Sequence, residues 1–168
     1  MKSFNKYSIF YSQKNNVLKE IKKENEDIEK IKKEIDDFKS DHPDGNVSPF
    51  EEEIEKAKKE IAENNEKIKA MNEQMEKAAD SCERLYHARA GLREYFEEAL
   101  NQVSEARSNP DKYLGANPTD EERSKLKEAA ERIEDKIKQE AAFHKDQEEG
   151  AKGTTEKLKE LIRMDQAQ

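Results

Sequence analysis

The chain has no tryptophan, a single cysteine, four prolines and five glycines in 168 residues. With only Cys82, an intrachain disulfide and a cysteine-based zinc site are both excluded. Cys82 falls on an apolar stripe, where a small buried thiol is the default. The glycines are scattered, so there is no Gly-rich phosphate loop, and neither HExxH nor Gly-x-Ser-x-Gly occurs. No stretch approaches the roughly 18 apolar residues of a membrane span. The segment Met1 to Tyr11 has two lysines but lacks the apolar centre of a secretory signal. The cytoplasm is therefore the expected compartment, with signal-independent export as the other route.

Charge is abundant instead. Charged residues make up 43% of the chain and apolar ones 32%, with a net charge of −8. Lysine and glutamate are finely interspersed. Pairs such as Glu26–Lys30, Glu55–Lys59 and Glu63–Lys67 have the favourable order on a helix, each worth a few tenths of a kcal/mol. An acidic total without a basic block argues against nucleic acid or anionic lipid as the main partner.

Periodicity separates this composition from that of a disordered chain. From Ser48 to Ser108 apolar residues recur in steps of three and four: Ile54, Ala57, Ile61, Ile68, Met71, Met75, Ala78, Cys82, Leu85, Ala88 or Arg89, Leu92, Phe96, Leu100 and Val103. As one helix the segment would measure about 90 Å. Ser48-Pro49-Phe50-Glu51 reads as a capping box with proline just inside the start. An earlier helix over about 12–39 carries Leu18, Ile21, Ile28, Ile31, Ile35 and Phe38, and ends in the turn-forming run Ser40 to Asn46. Thr119 with Glu122 opens a third helix over about 120–147, striped by Leu126, Ala130, Ile133, Ile137 and Ala141. Gly150 and Gly153 leave two readings: the third helix continues through them as a weakened helix, or, the favoured one, it bends there and a short fourth helix covers about 155–164. The expected fold is all-α: an elongated antiparallel three-helix bundle or coiled-coil hairpin in one domain, with a long central helix.

Folding the first helix back on the second sets Ile35 on Ile54, Ile28 on Ile61, Ile21 on Ile68 and Leu18 on Met71. Asn25 then meets Asn64 or Asn65, a polar layer that would set the register because a slip strands an amide among apolar neighbours. Folding back the third sets Val103 on Leu126, Leu100 on Ala129, Phe96 on Ile133 and Leu92 on Ile137.

Beyond Leu85 the apolar face of the central helix widens. Tyr86, Leu92, Tyr95, Phe96, Ala99, Leu100 and Val103 span more than one neighbour covers. Together with Ile133 and Ile137 they form the expected partner-binding surface, for a helix of a second copy or of another protein. The competing expectation is cover from within the chain, by the aromatics Phe4, Tyr7, Phe10 and Tyr11 or by the loop at Tyr113-Leu114. A non-catalytic assembly protein acting by helix packing is the leading functional expectation, as a homo- or hetero-oligomer without cofactor or metal. A small acidic chaperone or accessory of a secretion system or phage particle is the second. A metal- or thiol-dependent activity around Cys82, His87 and His144 is the third. An enzyme is not expected, because a thin bundle has little room for a preorganised pocket.

Overall fold

The computed structural model describes residues 2–168, with side chains from Tyr7 onward. Three helices, α1 (Lys2–Asp41), α2 (Ser48–Ser108) and α3 (Asp120–Arg163), form an all-α three-helix bundle with no strand among the described residues. A 3-10 turn, Pro110–Lys112, lies in the loop between α2 and α3. The bounds of α2 are those the spacing predicts. The first helix starts about ten residues earlier than expected and takes in Tyr7, Phe10 and Tyr11; Tyr7 stacks on Tyr11 one turn on, at 6.3 Å. The side chain of Phe4 lies outside the described residues.

The α1–α2 turn is tight. The His42 N–H donates to the Phe38 carbonyl (2.7 Å) and the Gly45 N–H to the His42 carbonyl (2.9 Å). Phe38 packs on both His42 and Phe50, with ring centroids 4.9 and 5.6 Å apart. A Cβ on Gly45 would come within 2.4 Å of the Phe38 ring, so glycine is required by space. The capping box at Ser48 does not form. The Val47 carbonyl accepts the first helical bond from Glu51, and the Asn46 side chain accepts from the Ser48 N–H at 3.0 Å. The cap at Thr119 does form, its Oγ1 accepting from the Glu122 N–H at 3.1 Å.

Contacts divide the chain into two units, Met1–Ala79 with Glu156–Gln168, and Asp80–Thr155. In the first, α1 runs antiparallel to α2 in the expected register to within about one turn: Phe38 meets Phe50, Glu24 meets Asn64, and Lys14 meets Asn72. The end of α3 joins them where Lys14 contacts the carbonyls of Leu161 and Ile162. The apolar core gathers at this level, with Val17, Leu18, Met75, Ala79, Leu158 and Leu161 all buried. The Asn–Asn layer is replaced. Asn64 is buried and donates to the Glu24 carboxylate at 3.3 Å, whereas Asn25 and Asn65 face solvent.

The bend expected at the glycines is absent: α3 continues through Gly150 and Gly153 to Arg163. The physical reason is a strict seven-residue repeat that crosses them. Ala130, Ile137, His144, Ala151 and Leu158 make one line, and Glu134, Ala141, Glu148 and Thr155 the other; all are buried or half-buried. Neither glycine falls on the seam, so its cost to the helix is local.

A candidate helix-docking face

In the second unit α2 and α3 form an antiparallel hairpin held by charge. Arg93 donates to Glu148 through Nε (2.5 Å) and Nη2 (3.4 Å), and to Glu97 at 3.0 Å. Its guanidinium pKa is pushed further up, chiefly by the hydrogen bond to Glu148. Arg107 pairs with the buried Glu134 at 2.9 Å, and Lys138 reaches the other Glu134 oxygen at 3.5 Å. Arg89 Nη1 lies 3.0 Å from His144 Nδ1, which therefore accepts in the neutral ring. The His144 ring stacks almost parallel on Phe96 (5.4 Å, 9°) and edge-on to Phe143. Ala130 and Ala151 are the buried apolar residues of this unit among those described.

The expected pairing of Phe96 with Ile133 is thus corrected: Phe96 faces His144, eleven residues further along α3. Eleven residues are close to three full turns, so the shift presents the same face of α3 and leaves the spacing pattern unchanged. The loop makes the shift possible. Arg123 pairs with Asp111 at 2.7 Å, and the Tyr113 hydroxyl and Lys112 both bond Glu105. The loop is consequently tied to the helix ends, with Asn117 taking the left-handed conformation (φ 56) that asparagine tolerates. The Tyr113 hydroxyl is thus held by Glu105, and within the first unit Tyr7 stacks on Tyr11.

Several large apolar side chains of the hairpin stand outside its seam. Leu85, Leu92, Tyr95, Ile133 and Phe143 are each 42–66% exposed. Helical periodicity puts Leu85, Leu92, Tyr95 and Ala99 on one flank of α2, and Ile133 and Phe143 on the matching flank of α3. In an antiparallel pair these two flanks share one side of the hairpin. Arg89 lies over the Phe143 ring at 5.5 Å, at the edge of this side. Of the other expected partner-binding residues, Tyr86, Phe96, Ala99, Leu100, Val103 and Ile137 are half-buried.

This face has a recognisable origin. In the first unit Ala57, Asn64, Met71 and Ala78 follow at seven-residue intervals on the side of α2 toward α1, and all are buried or half-buried. The same series continues as Leu85, Leu92 and Ala99. In the second unit Leu85 and Leu92 of this series are exposed. Sequence reasoning missed the ionic seam, although Arg89, Arg93 and Arg107 sit at stripe spacing on α2 and Glu134 and Glu148 on α3, a complementary pattern that was there to be read.

The remaining expectation rests on Cys82, His87 and His144. His87 is exposed and packs on Tyr86 (5.0 Å), while His144 is engaged by Arg89 and Phe96 and Cys82 is half-buried. Among the described residues no group of three or more His, Cys, Asp or Glu is placed to hold a metal, and no helix is long and apolar enough to cross a membrane. Comparison with protein-family models, curated proteins and solved structures finds no match to the chain. The fold therefore defines it as an all-α three-helix bundle, one of whose units carries an open apolar face.

Proposed function

We propose that the protein is a non-catalytic assembly protein that packs a helix, from a second copy or a different protein, on the Leu85–Leu92–Tyr95–Ile133–Phe143 face. The observation that carries this reading is the continuation of the heptad stripe of α2 into Leu85 and Leu92, which are 45% and 42% exposed. An occupant fitting that stripe is itself an amphipathic helix lying along α2. Burying the exposed half of each of the five large side chains is worth on the order of 1 kcal/mol apiece. The second reading, a chaperone that holds a partner's amphipathic segment, uses the same face and differs only in the identity of the occupant.

The test replaces two exposed aromatics by carboxylates, Tyr95→Glu with Phe143→Glu. Both positions are exposed, so circular dichroism should report unchanged helix content. Light scattering of the wild type should give a mass above one chain, alone or with a stoichiometric partner from native lysate, and the variant should return to one chain. Equal masses for the two proteins would sink the reading. A partner that copurifies with the wild type separates the chaperone reading from self-assembly.

A further inference from the structure

The end of α3 is held by two adjacent side chains of α1. Lys14 is 1% exposed, and its Nζ donates to the carbonyls of Leu161 (2.7 Å) and Ile162 (2.9 Å) and to Asn72 Oδ1 (2.9 Å). Two of the three acceptors are carbonyls of the last helical turn, where the negative end of the dipole favours a cation; that of Leu161 also accepts from the Met164 N–H at 3.2 Å. Asn15 engages the chain beyond the helix. Its Oδ1 accepts from the Gln168 N–H at 2.8 Å and its Nδ2 donates to the Gln168 carbonyl at 3.0 Å. Leu158 and Leu161 are buried beside this pair. Apart from those leucines and the Asn72 side chain of α2, the clamp reads main chain, and that main chain lies within residues 156–168.

Residues that weaken a helix stand just before that segment. Gly150 and Gly153 each have open space where a Cβ would stand, so no neighbour requires glycine there, and glycine costs a helix relative to alanine. Thr154 and Thr155 donate back to the Gly150 and Ala151 carbonyls (3.0 and 2.8 Å), a bond that slackens and bends helices. The boundary between the two contact units also falls after Thr155. The tail is open on both flanks. Asp165, Gln166 and Ala167 wall a cleft of about 640 Å³ with Leu18 and Ile21, and another of about 440 Å³ with Tyr7 and Tyr11.

We propose that residues 156–168 form an exchangeable arm: the Lys14–Asn15 clamp that receives them in their own chain also receives the identical arm of a second copy. An arm that leaves without replacement gives up the Lys14 and Asn15 hydrogen bonds and exposes Leu158 and Leu161, and the segment whose main chain and leucines match the clamp is another copy of itself. Reciprocal exchange restores every contact on both sides and closes a two-fold dimer. Its population is then set by chain concentration and by the ease of opening α3 at residues 150–155.

The experiment uses the full chain with Cys82→Ser, and with Tyr95→Glu and Phe143→Glu to silence the apolar face, so that failure of the exchange and failure of the proposed function are separate results. One population carries Tyr11→Cys, and an isotopically heavy one carries Glu160→Cys; both positions line the smaller cleft. The two are mixed, concentrated and bridged with a short bis-maleimide. The expected product is a heavy–light adduct whose yield rises with concentration. It should fall at least tenfold with Lys14→Met, and likewise with Gly150→Ala and Gly153→Ala, which keep the fold and stiffen the hinge. The proposal is overturned if a single chain carrying both cysteines is bridged internally while no heavy–light adduct forms at any concentration. It is equally overturned if the adduct forms but is indifferent to the alanine substitutions.

Discussion

Glu24 and Asn64 show how a single residue can serve register and burden stability together. Asn64 needs an acceptor where it is buried, and Glu24 supplies one. Desolvation, followed by repulsion from Glu60, raises the Glu24 pKa above its ordinary 4.5, and the bond from Asn64 only partly offsets this. Between 4.5 and the raised value the native state holds a proton that the unfolded state lacks. Stability associated with this group therefore increases as pH falls toward 4.5 and is lowest when the carboxylate is charged. Glu24→Gln keeps an acceptor for Asn64 and removes the charge. It should raise the melting temperature at pH 7, with the gap to wild type narrowing as the pH is lowered toward 4.5; a gap that stays constant would show that the charge is not the cause. Core residues give a second contrast. Met75 is fully buried, so Met75→Ala should cost about 2–5 kcal/mol. Leu92→Ala, at an exposed position, should cost under about 1 kcal/mol. Urea denaturation of the two variants measures the difference.

At the scale of elements, α3 carries its own test. Gly150→Ala and Gly153→Ala meet open space, so each should stabilise by up to about 1 kcal/mol, read as a rise in denaturation midpoint. A fall would mean that a bend at this point contributes to the folded state. The bounds of α2 and the α1–α2 register were legible because Ile35, Ile28 and Ile54 repeat cleanly and the turn at Ser40–Asn46 is short enough to leave few alternatives. The partner of Phe96 was not legible. A slip of eleven residues is almost a whole number of turns, and an eleven-residue connection can absorb it, so spacing alone allows Ile133 or His144. The bend at Gly150 was misread for another reason. Glycine weakens a helix locally, whereas the repeat from Ala130 to Leu158 fixes it from both sides. The exposed face was legible in outline from the width of the stripe at Leu92, Tyr95 and Phe96. The inward turn of Phe96 onto His144 was not, because it depends on the arginine seam.

At the scale of the whole molecule, the two contact units are stabilised by different means. The first buries Val17, Leu18, Ile28, Ile54, Met75 and Leu158; the second buries two alanines and pairs Arg89, Arg93 and Arg107 of α2 with His144, Glu148 and Glu134 of α3. Amide hydrogen exchange should therefore be slower around 17–28 and 54–79 than around 85–103 and 126–147 in the isolated chain. Occupation of the apolar face should slow the second group selectively; uniform protection across both units would contradict this division of labour. Lys14 has a further effect that concerns neither binding nor exchange. Since it bonds the carbonyls at 161 and 162 and not their side chains, it works as a ruler set against α3. Ile162 can change identity with little penalty, but inserting or deleting one residue between Thr155 and Leu161 rotates the helix end by about 100° and moves it 1.5 Å. The chain is consequently tolerant of spelling at that end and intolerant of miscounting.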